Sequence, residues 1–142
     1  MKTIAKLSLP ISLLAGLYLL ISGNLFSINL FLVVQVLAIA LMPWARRSFQ
    51  PGQFNIHAEP KEGRMISSGP YQYIRHPMYA SALAIIWSGV LGHFSYLNLV
   101  IGVIVTVVIS IRIMIEEQYL CAHYPDYLDF ARKTKMIIPF II

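Results

Sequence analysis

The chain has 142 residues, 58% of them hydrophobic and only 12% charged, with a mean hydropathy of +0.69. Soluble domains of this size carry about 25% charged residues, so the composition argues against one and points to a single membrane-embedded helical domain. A net charge of +5 might suggest nucleic acid, but the charge placement described below explains it otherwise, and Cys121, the single cysteine, excludes an internal disulfide or a two-cysteine metal or redox site.

Residues 7–22 form a first apolar segment, broken only by Pro10 and small polar residues. Lys2 and Lys6 ahead of it would suit a cleaved signal peptide. Yet Gly23-Asn24-Leu25 leads at once into a second apolar segment, 28–44, whose one strongly polar residue is Gln35. A retained helical hairpin over 1–44 is therefore expected. Residues 45–76 form a long connection with turn signals at Pro51-Gly52, Glu59-Pro60 and Glu62-Gly63, a length that suits a lid or binding segment. The third apolar segment, 79–92, is short against the ~20 residues needed to cross the hydrocarbon core. Pro77, suited to a first helical turn, extends its expected start. The fourth, 96–111, is a β-branched run continuing through Ile115, which closes a second hairpin over 77–117. Residues 118–135 read as a polar-aromatic helix broken at Pro125 and lying along the membrane interface, and 136–139 return to the membrane surface.

The expected fold is all-α: a polytopic membrane helical bundle of about four transmembrane helices with a C-terminal interfacial helix. The links 23–27 and 93–95 contain no lysine or arginine; the basic residues lie at the N-terminus, within 45–76, or from Arg112 onward. The positive-inside rule then predicts four spans with both termini cytoplasmic, which accounts for the basic excess without nucleic acid. A short, compact chain suggests a prokaryotic plasma membrane. Arg46-Arg47 reads as a topology and headgroup anchor.

Two polar constellations stand out. One is Gly69-Pro70-Tyr71-Gln72-Tyr73-Ile74-Arg75-His76-Pro77-Met78-Tyr79; the other is Arg112 with Glu116-Glu117. Pro77 biases His76 away from helical geometry, placing Arg75 and His76 on an extended segment among three tyrosines. Such a setting can bind an anion or a cationic centre, though tyrosine and arginine are also ordinary interfacial anchors. Arg112 and Glu116, four apart, share a helix face, with Glu117 about 100° further round. An exposed pair of this kind contributes only a few tenths of a kcal/mol, a weak reason to place it at the end of an apolar helix. One of the two carboxylates is left for a cationic group of a ligand, or for Arg75 across a site. S-adenosylmethionine suits this inventory, with an amino group for a carboxylate, a carboxylate for Arg, His or backbone N–H, and a sulfonium for aromatic surroundings. Methyl transfer needs mainly alignment. His57, His93 and His123 lack metal-ligand spacing, and Met78, Trp87 and Cys121 read as packing or lipid-facing positions, so no metal site is expected.

Residues 68–79 resemble the Gly-Pro-Tyr-x-Tyr-x-Arg-His-Pro-x-Tyr motif of the isoprenylcysteine carboxyl methyltransferase family and its phospholipid methyltransferase relatives. Arg112-x-x-x-Glu116-Glu117 resembles the family's second motif, and Tyr127 and Ile138-Pro139 are similar to its C-terminal tyrosine and ending. The resemblance covers about half the chain. It implies an integral membrane methyltransferase that binds S-adenosylmethionine in a pocket open to the cytosol and takes a small-molecule or lipophilic acceptor from the bilayer. Tyr73, His76, Pro77 and Tyr79 would line the cofactor pocket, and Glu116 or Glu117 would contact its amino group. Arg75, Arg112 and Glu116 are the candidate catalytic groups, the two arginines serving the cofactor carboxylate or an anionic acceptor. Tyr124-Pro125-Asp126-Tyr127 departs from the family's Phe-Gly-x-x-Tyr segment, leaving the C-terminal wall of the pocket open. The acceptor could be a carboxylate, an amine or a thiol. Competing readings are an NADPH-dependent membrane reductase of the sterol reductase type and a non-catalytic membrane scaffold.

Overall fold

Uninterrupted apolar runs and proline-marked starts produce five α-helices and one 3-10 turn among the residues described by the computed structural model, 2–49 and 65–138, with side chains from Leu7 onward. The helices are α1 (Lys2–Ile21), α2 (Phe31–Arg47), α3 (Pro77–Gly92), α4 (Tyr96–His123) and α5 (Tyr127–Lys133), and the 3-10 turn is Gly69–Gln72. The turn signals between Pro51 and Gly63, His57, Pro139 and the side chains of Lys2 and Lys6 lie outside the described residues. The architecture is all-helical, as expected, and α3 begins at Pro77. The break expected at Pro125 falls between α4 and α5. The expected boundary at 117/118 does not exist as a break, because α4 runs unbroken from Tyr96 to His123.

At 1.5 Å per residue, the 28 residues of α4 extend about 42 Å. This is the one described helix long and apolar enough to cross a membrane by length and composition; Leu7–Ile21 and Pro77–Gly92 are shorter apolar helices. The helix starts at Ser95, whose Oγ accepts from the Asn98 backbone N–H at 3.1 Å, an N-cap contributing about 1 kcal/mol. Twenty residues, the number that spans a hydrocarbon core of about 30 Å, counted from Tyr96 end at Ile115, just before Glu116-Glu117.

Packing does not follow the hairpin connections. The main contacts run α1 along α4 and α2 along α3, with α3 touching α4. Leu19, Ile86, Val90, Val105, Ile109 and Ile113 form the core between α1, α3 and α4. Gly102 lets the α3 side chains Val90 and Trp87 approach the α4 backbone, and Trp87 Nε1 donates to Thr106 Oγ1 at 2.9 Å. Gln35 is fully buried, donating through Nε2 to Leu25 O at 2.7 Å and accepting from Ser27 N at 3.4 Å. Loop 22–30 is thereby pinned to α2. Outward-facing Leu13, Leu14, Leu37 and Met114 are between 62% and 66% exposed, an apolar surface that lipid covers without penalty.

Candidate functional site

The first constellation and the C-terminal segment assemble through backbone pairing. The Arg75 and His76 N–H groups donate to Lys135 O (2.7 Å) and Met136 O (3.0 Å), and the Lys135 N–H returns to Tyr73 O at 3.0 Å. This parallel bridge, Ile74 to Lys135, works because Pro77 holds His76 off the helical region, at φ −124°. Residues 134–138 therefore form a strap beside the motif. Met136 and Ile137 pack against the apolar core.

Glu117 is the hub of this assembly. Its Oε1 accepts from Arg75 Nε (3.0 Å), His76 Nε2 (2.7 Å) and the Tyr127 hydroxyl (2.6 Å). An ionised carboxylate only accepts, which places the imidazole hydrogen on Nε2. Arg75 extends the connection: its Nη1 donates to Ala131 O (2.9 Å) and Thr134 O (2.7 Å), carbonyls at the end of α5 where a cation is favoured. Tyr127, 2% exposed, has its hydroxyl pKa raised by burial and then by the Glu117 carboxylate, so it remains a donor. The altered segment 124–127 thus still delivers a tyrosine hydroxyl to Glu117.

Glu116 belongs to a separate chain of hydrogen bonds. Arg112 Nε donates to the Tyr79 hydroxyl at 2.7 Å, and that hydroxyl donates to Glu116 Oε2 at 2.6 Å. Since arginine cannot accept, the single tyrosine proton is directed to the carboxylate. The guanidinium carbon lies 5.8 Å from the Tyr79 ring centroid, and the His76 ring stacks on Tyr79 at 5.6 Å. Arg112 Nη1 also donates to Ser8 Oγ on α1 at 2.9 Å. Tyr71, buried in the 3-10 turn, has its hydroxyl pKa raised by burial and by nearby Glu116. Among the described residues, the Oε1 atom of Glu116 makes no hydrogen bond. The two neighbouring carboxylates are therefore unequal, Glu117 saturated on one oxygen by three donors and Glu116 half engaged.

Of the sequence candidates, Arg75, His76, Tyr79, Arg112, Glu116 and Glu117 converge at the end of α4, and Pro77 is buried at the start of α3. Tyr73 does not join them. It is 55% exposed and lines an apolar cavity of about 750 Å³ between α2, α3 and the strap, together with Leu37, Trp44, Ser81, Trp87 and Ile138. Ser8 and Thr134 escaped sequence reasoning, since nothing in an isolated serine or threonine marks a partner so distant in the chain. Tyr127 carried a signal through its place in the C-terminal motif.

Residues 11–127 match the family model described as phospholipid methyltransferase. Over 72 residues, half of this chain, the sequence is 35% identical to a protein named methanethiol S-methyltransferase from Crocosphaera subtropica, covering 28% of that protein. It is 26% identical over 80 residues to the cobalt-zinc-cadmium resistance protein CzcN of Cupriavidus metallidurans, covering 56% of this chain and 37% of the relative. The matched stretch thus spans well under half of either relative. No solved structure matches.

Proposed function

Because the chain belongs to the phospholipid methyltransferase family, we propose that it is an S-adenosylmethionine-dependent membrane enzyme, similar to the isoprenylcysteine carboxyl methyltransferases. It methylates a small or lipid-like acceptor at the cytoplasmic membrane face. In this reading α1 to α4 are the four membrane segments, and both termini are cytoplasmic. The observation that carries the cofactor assignment is the half-engaged Glu116 carboxylate, set among Tyr71, Tyr79 and Arg112 at the polar end of α4.

S-adenosylmethionine, when bound, supplies an electrophilic methyl group on a sulfonium sulfur. Glu116 takes its ammonium group, a charge-assisted contact. Tyr79, with the His76 ring stacked on it, offers an aromatic wall suited to a cationic sulfur. Arg75 and Glu117 tie the strap and α5 to the motif and so hold that wall in place. Arg112 orients Tyr79. The apolar cavity lined by Tyr73 and Trp87 receives the acceptor from the lipid side. The segment 73–81 belongs to both regions, so the residues that would hold the donor and those that would hold the acceptor are neighbours, and catalysis would rest mainly on alignment. A carboxylate or thiolate acceptor needs no base, whereas a protonated amine does. The name of the Crocosphaera relative keeps thiols among the candidates.

Calorimetric titration of the purified protein in detergent with S-adenosylmethionine and with NADPH tests the donor. We expect binding of the first and none of the second; tight NADPH binding alone would replace this reading with a reductase. Incubation with labelled S-adenosylmethionine and a membrane lipid extract, followed by mass spectrometry, identifies the acceptor.

A further inference from the structure

His76 sits between the two regions that the proposed function assigns to donor and acceptor. Its ring stacks on Tyr79, whose hydroxyl donates to Glu116. Its carbonyl accepts at 3.0 Å from the N–H of Ala80, a residue that lines the apolar cavity. The imidazole donates through Nε2 to the Glu117 carboxylate at 2.7 Å, which leaves Nδ1 of the neutral ring with a lone pair rather than a hydrogen. Nδ1 has no hydrogen-bond partner among the described residues, and the side chain does not cap α3. No buried side-chain nitrogen or oxygen among those residues is left without a partner. Although His76 is only 3% exposed, Nδ1 is therefore open to accessible space rather than sealed in packing. A histidine held at one nitrogen by a carboxylate and open at the other has the arrangement of a general base.

We propose that His76 is a catalytic base whose Nδ1 takes the proton of the acceptor, and that the acceptor is a thiol. This rests on the methyl-donor reading above and narrows its acceptor. The thiol S–H bond breaks and its proton passes to Nδ1, while the Nε2–H stays bonded to Glu117. The thiolate sulfur bonds to the methyl carbon. The bond from that carbon to the sulfonium breaks, and its electron pair stays on the donor sulfur, which becomes a neutral thioether. The imidazolium then releases the proton to water. Proton affinity selects the thiol. An ordinary imidazole titrates at about 6.5, within about two units of a thiol at about 8.5 but about four below an alkylammonium at about 10.4. A carboxylate acceptor is already ionised and needs no base. The charged and titratable groups around the ring are Glu116, Glu117 and Arg112 on α4, Arg75 beside it, Tyr71 in the 3-10 turn, Tyr79 on α3, Tyr127 on α5 and exposed Lys135 on the strap. Glu117 alone of these bonds to the ring, and it stabilises the imidazolium formed in the step.

The test compares the full chain in detergent as wild type and as His76→Gln, whose amide can keep the bond to Glu117 but cannot take a proton. The acceptor probes are 1-octanethiol, octylamine and octanoate, and S-adenosylhomocysteine is the binding probe. Wild type is expected to methylate octanethiol in preference to the other two. His76→Gln is expected to lower kcat on octanethiol near neutral pH by about 100-fold or more, the scale of general-base catalysis. That rate should recover about tenfold per pH unit below the thiol's own pKa, as free thiolate forms. Affinity for S-adenosylhomocysteine should stay within about threefold of wild type. Histidine nitrogen NMR adds a readout that needs no turnover. The chain has four histidines, and replacing His57, His93 and His123 in turn identifies the signal of His76, expected to carry hydrogen on Nε2 and none on Nδ1. Hydrogen on Nδ1, a rate loss equal at every pH, a matching loss of S-adenosylhomocysteine affinity, or undiminished turnover in His76→Gln would overturn the base. A wild-type preference for octylamine or octanoate, or no turnover of octanethiol by protein that binds S-adenosylhomocysteine, would overturn the thiol. Failure of wild type to bind S-adenosylhomocysteine would overturn the cofactor assignment, and the base with it.

Discussion

Adjacent carboxylates often look interchangeable in a sequence, but Glu116 and Glu117 face different partners because consecutive helical residues point about 100° apart. Glu117 holds together three segments by accepting from Arg75, His76 and Tyr127 on one oxygen. With side-chain exposures of 10% for Arg75 and 18% for Glu117, the pair is shielded enough for its loss to register in stability. Glu117→Gln is therefore expected to lower stability by about 2 kcal/mol, the scale of hydrogen bonds to a charged group. Glu116→Gln, with one engaged oxygen, is expected to leave the unfolding temperature in detergent near wild type while weakening S-adenosylmethionine at least tenfold. Equal effects of the two substitutions on both readouts would refute this division. Most of these groups were legible in the sequence because the motifs bring them within a few residues of one another. Ser8 was not, since its bond to Arg112 spans 104 positions, and a serine in an apolar helix carries no mark of its partner. Tyr73 sits within the first motif, yet the turn of the chain after Gln72 sends its side chain to the apolar cavity instead.

The elements were read more securely than their neighbours. Pro77 and Pro125 mark a start and a break by local chemistry, and the structure begins α3 at the first and separates α4 from α5 around the second. That α1 would choose α4 and α2 would choose α3 depends on shape matching over long separations, which composition does not encode. Gly89 is one such match. A Cβ there would lie 2.7 Å from Leu25 O and 2.8 Å from Asn24 O, so loop 22–30 can rest on α3 only because the side chain is missing. Gly89→Ala must displace backbone rather than a flexible side chain, and it is expected to destabilise the protein by about 1–3 kcal/mol. Thermal unfolding in detergent measures this, and an unchanged transition would mean that the loop yields freely.

For the whole molecule, the distribution of charge and the length of α4 both bear on how the chain sits in the bilayer. The described structure has one helix that meets the length and composition required to cross; the four-segment arrangement rests on the charge asymmetry of the links. Cys121 offers a direct measurement, being exposed near the end of α4 and the sole cysteine of the chain. A membrane-impermeant maleimide is expected to label it in inverted vesicles and not in right-side-out ones. Ser95→Cys in a Cys121→Ser background should give the reverse pattern. Labelling of both positions from the same side would rule out α4 as a complete crossing.

The stretch from Tyr73 to Ser81 is a party wall. One set of its side chains (Tyr73, Ile74, Ala80, Ser81) lines the apolar cavity, and another (Arg75, His76, Tyr79) meets the carboxylates of α4. Across the cavity stand Val34, Leu37, Leu41 and Trp44 of α2, none of which bonds to the carboxylate cluster among the described residues. Under the proposed function, substitution along α2 is expected to change the size of the acceptor that is accepted while leaving S-adenosylmethionine affinity near wild type.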